Sequence, residues 1–219
     1  MLKVVTVLRT KHKSHGTSWD PEHVYKIQNM CNKHISDHTF YCLTNETNLN
    51  CNMIPLEHDW YGWWSKMELY KIPGPVLYFD LDTIILDNID NIIQEIKDCN
   101  FTTLGTGVTG KRKSVTSSIM YWKNDVSYLY EEFKKLKYTD IVKTEIRTPA
   151  HDQQMISYLV NNQPESFWKP LPKWGEVIAS FKVHYKKMFE EKDTTKLKKV
   201  KIIHFHGKPR PWEQDIISY

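Results

Sequence analysis

The spacing of apolar residues changes rhythm along this chain, and each change marks an element. Leu2 to Leu8 is apolar and β-branched and runs into a basic, histidine-containing loop. That is the pattern of a buried parallel strand opening an α/β domain. In Asp20-Pro21-Glu22, Asp20 can cap a helix and Pro21 can occupy its first position. Val24, Ile27, Cys31 and Ile35 then recur at helical spacing. Thr39 to Leu43 reads as a second strand and Met53-Ile54 as a short third. Gly62 to Ile72 predicts a helix with Trp63, Met67 and Tyr70 on one side, stopped by Pro73-Gly74-Pro75.

Val76 to Phe79 is a short apolar strand that runs into Asp80-Leu81-Asp82, and Thr83 to Leu86 resumes the apolar character. Asp87 to Asp98 predicts a helix carrying Ile89, Ile92, Ile93 and Ile96. Phe101 to Leu104 and Val115 to Trp122 read as strands separated by a glycine- and lysine-rich loop, Gly105 to Lys113. Val126, Leu129, Tyr130, Phe133 and Leu136 trace one amphipathic helix, and Met155, Ile156, Leu159 and Val160 another. Trp168 to Lys173 holds two prolines and reads as irregular, whereas Val177 to Val183 and Val200 to Phe205 read as strands. No repeat, low-complexity linker or domain boundary interrupts the order, so a single domain over residues 1–219 is expected.

Composition narrows the class. Hydrophobic residues at 40% and charged ones at 26% describe a globular chain with enough apolar surface for a core. Thirty Lys+Arg against 26 Asp+Glu leave +4, too small a surplus to argue for nucleic acid by itself. Cys31, Cys42, Cys51 and Cys99 have no CxxC spacing and are too few for a disulfide scaffold in a chain of this length. They read as free thiols of a reducing compartment. The opening MLKVVTVLRTKHKS reaches charges too soon for a signal peptide, and no stretch approaches 18 apolar residues. A cytoplasmic location without a transmembrane segment is expected, in the host cytoplasm for a viral chain.

The most informative segment is VLYFDLDTIIL. A hydrophobic strand delivers Asp80 and Asp82 to a strand end, where open α/β sheets bind ligands. On an extended chain, residues two apart share a side. Two hard oxygen donors so placed suit a divalent cation that also holds phosphate oxygens. A solvated turn or a helix cap is the bland alternative. Two enzyme classes use such a pair. Haloacid-dehalogenase-like phosphatases begin with this strand and follow the second Asp with glycine, but here Thr83 follows and 79 residues precede Asp80. Nucleotide-sugar transferases of the GT-A type place their DxD after a first αβα half, which suits the long N-terminal part better.

Near the other end, KIIHFHGKPRPWE puts His204 and His206 at a strand end, then Gly207, Lys208, Arg210 and Trp212 in a proline-stiffened loop. Imidazole beside paired carboxylates suggests a third metal ligand, and Lys and Arg suggest neutralisation of a diphosphate. At this point the chain resembles family 8 glycosyltransferases, whose catalytic domain closes on HFxGxxKPW; Arg210 stands here for the usual Lys. It is similar also to small bacterial, phage and large-DNA-virus glycosyltransferases through five segments in order. These are Gly62-Trp63-Trp64-Ser65-Lys66, Tyr78 to Thr83, Ser117 to Trp122, Asp152-Gln153 and the terminal motif.

The resemblance implies a GT-A fold, a Rossmann-like domain with a mixed, mainly parallel sheet flanked by helices. Its nucleotide-binding half would span about residues 1–86 and its acceptor and catalytic half about 87–219. It implies that Asp80, Asp82 and His204 hold a divalent cation, manganese before magnesium. Leu8-Arg9-Thr10 would cradle the base, and Lys66, Leu81, Gly207 and Lys208 would meet the nucleotide or its diphosphate. His206 would face the diphosphate or serve structurally. Ser117 and Ser118 stand where family 8 has Asn-Ser-Gly and would touch the donor sugar. Asp152 and Gln153 match the pair beside the anomeric carbon. The implied reaction moves a hexose from a nucleotide-diphosphate sugar, a UDP-sugar first, to a glycan, glycoprotein or other hydroxyl acceptor, with retention. A phosphatase using Asp80 and Asp82, or a non-catalytic nucleotide or glycan binder, are the competing readings.

Two further features carry double readings. Lys182 to Lys201 holds eight lysines with Tyr185 and Phe189 interleaved, a candidate basic groove for RNA. Glu190, Glu191 and Asp193 interrupt it and no RNA-binding motif is present, which favours a solvated face near an anionic acceptor or diphosphate and no nucleic-acid partner. The Trp60-Tyr61-Gly62-Trp63-Trp64 cluster could stack on sugar rings, or pack beneath the site in the case of at least one of Trp63 and Trp64.

Overall fold

The computed structural model describes residues 1–10, 19–60, 62–109, 112–135, 152–173 and 175–213, with backbone alone for 106–109 and 112–114. Strand β1 (Leu2–Leu8) is flanked on both sides, by β2 (His38–Thr44) and β4 (Val76–Phe79), all parallel. Its neighbours explain its unbroken apolar run: Val4, Val5 and Leu8 are fully enclosed. Strand β3 (Asn52–Pro55) extends the parallel set beyond β2. On the other side β7 (Arg112–Trp122) runs antiparallel to β4 and to β6 (Phe101–Thr109), and β8 (Trp168–Pro170) lies parallel to β6. The sheet order is β3-β2-β1-β4-β7-β6-β8. Strand order reverses between β1 and β4, which opens a crevice at their carboxyl ends.

A smaller sheet joins the end of the chain to the middle. Strand β10 (Ile202–His204) pairs antiparallel with β5 (Thr83–Ile85) and parallel with β9 (Ile178–Ser180). Because β5 follows Asp82 directly, this pairing sets His204 opposite Thr83. The two ends of the sequence motif are thereby brought together.

Helix α1 (Pro21–His34) begins as its sequence predicts. The Asp20 carboxylate accepts from the Glu22 N–H at 3.0 Å, and Val24, Ile27 and Cys31 face the sheet. Helix α2 (Asp90–Ile96) is shorter than the predicted 87–98, because Asp87 and Asn88 spend their side chains on turns, accepting from Asn88 N and Asp90 N at 2.7 and 3.1 Å. Helices α3 (Ser127–Lys135) and α4 (Asp152–Asn161) bury Leu129, Tyr130 and Phe133, and Met155, Ile156, Leu159 and Val160. Leu136 lies outside the described residues.

Several expectations are corrected. Gly62–Lys71 is helical but wound as a 3₁₀ helix, with three residues per turn. All of Trp64 to Tyr70 is buried, not one side of it, while Trp63 is only half-buried. The supposed loop Gly105 to Lys113 is mostly hairpin: Val108 pairs with Lys113 and Thr109 with Arg112, across register shifts on either side of Leu104-Gly105. The glycine marks a bulge there, not a turn. Trp168–Pro170 is an edge strand, where proline is tolerated. Past Ser180 the predicted strand becomes a π-helical turn, Phe181–Tyr185, because the Ser180 hydroxyl accepts from the Val183 N–H at 3.3 Å. All four cysteines are free thiols.

Candidate active site

The crevice between β1 and β4 opens into a cavity of about 300 Å³. At its floor the chain leaves β4 and turns. The Asp80 N–H donates to Ser118 O on β7 at 2.8 Å, and the Thr83 N–H donates to Asp80 O at 3.0 Å. Asp80 and Asp82 therefore meet the cavity from a tight turn, not from the extended alternation that the sequence suggested, and both line it together with Leu81.

Three segments bring charge to this turn. Lys66, from the 3₁₀ helix, lies 2.8 Å from Asp80 and 2.5 Å from Asp152 at the start of α4. It also donates to Ser117 Oγ at 3.3 Å, and Ser117 in turn donates to Asp152 at 2.6 Å. The Tyr78 hydroxyl donates to Asp80. From the end of the chain, the Arg210 guanidinium pairs with Asp82 and lies over the Trp19 ring, 5.2 Å from its centre. Three carboxylates thus face two cations, nearly all of them buried.

Burial and these charges together set the protonation of the groups. Burial, with Asp80 adding to it, pushes the Asp82 carboxyl up to about 7 against the opposing pull of Arg210 and Lys66. Burial works against the Lys66 ammonium, but Asp152 and Asp80 outweigh it and hold its pKa above the usual lysine value. Burial, with His206 and His184 nearby, drops the His204 imidazole to about 3, so it is neutral at physiological pH. Its Nδ1 meets Ser118 Oγ at 3.0 Å, which fixes the ring. His206 stacks on it, ring centres 5.3 Å apart, and contacts Ser180 Oγ at 3.4 Å.

The cavity gathers Arg9, Lys66, Asp80, Leu81, Asp82 and His204 of the residues singled out by sequence. Ser117, Ser118, Asp152, Gln153, His206 and Gly207 line it as well. Three residues are elsewhere. Leu8 is in the core, Lys208 is exposed, and Thr10 bonds to Asn45 and Glu46. Trp63 lines the cavity and Trp64 is packed in the core, so the tryptophan pair divides between the two readings; Tyr61 lies outside the described residues. Sequence reasoning gave no role to Trp19, Tyr78 or Thr116, which also line the cavity. Tyr78 carried a signal, two residues before Asp80 on the same strand, whereas nothing local marks Trp19.

As metal donors, Asp80 and Asp82 each commit one oxygen to protein partners and leave the other facing none among the described residues. The trio of acidic and histidine side chains whose ligand atoms lie within 4.8 Å of one another among the described residues is a different one, Glu57, His58 and Glu68. No described helix is long and apolar enough to cross a membrane.

No protein-family model and no curated protein matches the sequence. Solved structures do. The galactosyltransferase LgtC, in complex with donor and acceptor sugar analogs, superposes with a TM-score of 0.62 at 10% identity over 97% of this chain and 90% of that one. The apo glycosyltransferase GlyE of Streptococcus pneumoniae TIGR4 superposes at 0.61 with 14% identity over 97% of this chain and 56% of its own. The bifunctional WbbM, also apo, does so at 0.58 with 11% identity over 96% and 46%. The chain therefore spans about half the length of the GlyE and WbbM chains. At these identities the likeness establishes the fold, which is the GT-A fold of glycosyltransferases.

Proposed function

We propose that this GT-A domain is a metal-dependent glycosyltransferase. It moves a hexose from a nucleotide-diphosphate sugar, a UDP-sugar, to a glycan or other hydroxyl acceptor with retention of configuration. One observation carries the reading: three carboxylates, the cations Arg9, Lys66 and Arg210 and a neutral imidazole converge on a cavity at the strand reversal, where α/β sheets take nucleotides. Asp80, Asp82 and His204 fit a divalent cation, manganese or magnesium, as two hard carboxylates and a neutral nitrogen donor. Bound there, the ion would supply positive charge against the leaving diphosphate.

The chain's own residues do the rest. Arg210 lines the cavity and brings to it a guanidinium, a group suited to phosphate oxygens. Lys66 stands between the diphosphate side and Asp152, and the exposed Lys208 could close over the diphosphate from outside. Leu8-Arg9-Thr10 is the segment proposed to hold the base; Arg9 is steadied by Asp59 and by His58 O at 3.2 Å. Ser117 and Ser118 would contact the sugar. An inverting transferase needs a free carboxylate base at the acceptor hydroxyl. Asp152 is instead tied to Lys66 and Ser117, which supports a role in positioning the sugar with Gln153, and hence retention.

The test is thermal stability in a panel of nucleotide-sugars with and without manganese. At about one hundred times Kd, a bound donor should stabilise by about 2.7 kcal/mol. The shift should need the metal and vanish in Asp82→Ala. A shift indifferent to metal, or hydrolysis of phosphate esters without any shift, overturns the reading. NMR of the anomeric linkage in the product checks retention.

A further inference from the structure

The second half of the chain carries a surface that the proposed reaction does not use. Residues 182–201 hold eight lysines against Glu190, Glu191 and Asp193, a surplus of five, larger than the +4 of the whole chain. The rest of the molecule is therefore close to neutral, and the positive charge is local. It is built on the helical stretch formed by Phe181–Tyr185 and Lys186–Glu190. One side of that stretch, with Phe181 and Met188, is buried against Ala179, Ile203 and Phe205. The other carries Lys182, Lys186 and Lys187, all exposed, around Val183 and Phe189, which are 59% and 66% exposed. Val183 and Phe189 lie three residues before and after Lys186, so each neighbours it on the helix surface.

Phe189 and Val183 are among the most exposed large apolar residues described, and each sits among ammonium groups. The exposed ion pairs Lys186 to Glu190 at 3.7 Å and Lys187 to Glu191 at 3.9 Å are too long and too wet to bind the lysines tightly. Lys182, Lys192, Lys198 and Lys199 have no acidic partner among the described residues. The patch also adjoins the cavity. A Cβ added to Gly207 would lie 3.5 Å from Lys182 Nζ, and Ser180, just before the helical stretch, contacts His206.

We infer that this face docks on an anionic lipid membrane, with Phe189 and Val183 entering the headgroup region and the lysines meeting acidic headgroups. Apolar insertion and a polybasic cluster are the two signals that together give stable but reversible membrane binding, where one alone is marginal. RNA fits less well. Single strands need successive aromatic faces for stacking, but Phe181 is stacked on Phe205 at 4.7 Å and on Tyr185 at 6.2 Å, which leaves Phe189 as the one exposed phenyl ring of this stretch. The surface would hold the cavity rim close to the membrane, where a lipid-borne acceptor would present its hydroxyl.

Vesicle flotation of the full chain, without donor or metal, tests this. Wild type should float with vesicles of phosphatidylcholine containing about 30% phosphatidylserine and not with phosphatidylcholine alone, and should be released by about 0.5 M salt. The triple variant Lys182→Gln, Lys186→Gln, Lys187→Gln should partition about fivefold more weakly for each lysine lost. Phe189→Ser should weaken partitioning in a way that salt does not reproduce. Lys33→Gln, on α1, and Asp82→Ala should float as wild type, so a failed donor assay leaves this inference standing and the reverse. No flotation on acidic vesicles overturns it, as does undiminished flotation of the triple variant, or salt-sensitive binding to random oligonucleotides with none to vesicles.

Discussion

Two clusters of carboxylates and lysine share the 3₁₀ helix Gly62–Lys71, and they behave in opposite ways. In one, Glu68 is fully enclosed, and its carboxylate accepts from Glu57 N at 2.8 Å, His58 N at 3.0 Å and Lys71 Nζ at 3.2 Å. Lys71 also pairs with Glu57 at 2.7 Å, while His58 contacts the Tyr130 hydroxyl at 2.5 Å and stacks on Trp60. The ligand atoms of Glu57, His58 and Glu68 lie within 4.8 Å of one another, close enough to share an ion, yet a lysine already does the cation's work there. In the other, Lys66 and Arg210 answer three carboxylates around an open cavity, and Asp82 is pushed towards the neutral form. Proximity of ligand atoms therefore says less than unspent capacity does. A closed cluster holds the fold together, and an open one is left for a ligand.

Isosteric amides should separate the two. Asp82→Asn is expected to lower transfer by about 10²–10³-fold, the cost of losing one charged group aimed at the reacting centre. Its stability should fall by only about 1 kcal/mol: no cavity arises and the amide oxygen can still accept from Arg210, although Arg210 loses its counter-charge. Burial already disfavours the Asp82 charge, so an uncharged amide suits the folded state. Steady-state transfer and urea unfolding check both halves; an unchanged rate would break the contrast. Glu68→Gln should do the reverse. Its amide NH₂ meets a backbone N–H that has lost its acceptor, and Lys71 loses a buried counter-charge. The expected loss is about 2–3 kcal/mol of stability, with transfer per folded molecule unchanged.

The contrast also explains which parts of the molecule were legible beforehand. The strand β1, the Asp20 cap of α1 and the β4-to-DxD passage follow from local rules: burial on both faces, a side chain returning to its own helix, an apolar run meeting charge. Asp80, Asp82, His204 and Asp152 could be picked out by type and order, and they meet in one cavity. What was not legible was decided at a distance. Lys208 and Arg210 flank Pro209 and look alike in sequence, but Asp82 and Trp19, together with Glu213 accepting from the Arg210 N–H at 2.8 Å, draw only Arg210 inwards. Glu68 sat unnoticed among tryptophans because hydrophobic patterning ignores a polar residue whose partners lie ten residues back.

Metal addition should sharpen the difference further. At about one hundred times Kd, manganese with the nucleotide-sugar should stabilise wild type by about 2.7 kcal/mol and Glu68→Gln by the same increment. The closed cluster has no vacancy for the ion, so its loss should not alter the gain. Asp82→Asn should gain little. An increment that disappears in Glu68→Gln and persists in Asp82→Asn would place the ion at the wrong cluster.

The smallest expected effect belongs to Lys71. Burial opposes its charge, but Glu57 and Glu68 outweigh burial and raise its pKa above that of an ordinary lysine. A raised pKa in the folded state means a contribution that is complete below the unfolded lysine value and lost as pH climbs through the folded one. Lys71→Met should therefore cost about 1–2 kcal/mol, the net worth of charge-assisted hydrogen bonds to a partly exposed group. The difference from wild type should stay flat from about pH 6 to 10 and shrink only above about pH 10.4, where an unperturbed lysine begins to lose its proton. Guanidinium unfolding of the pair across that range measures it. A difference that already falls between pH 6 and 8 would mean that Lys71 is not held charged by its two acids, and that the closed cluster is less closed than its hydrogen bonds imply.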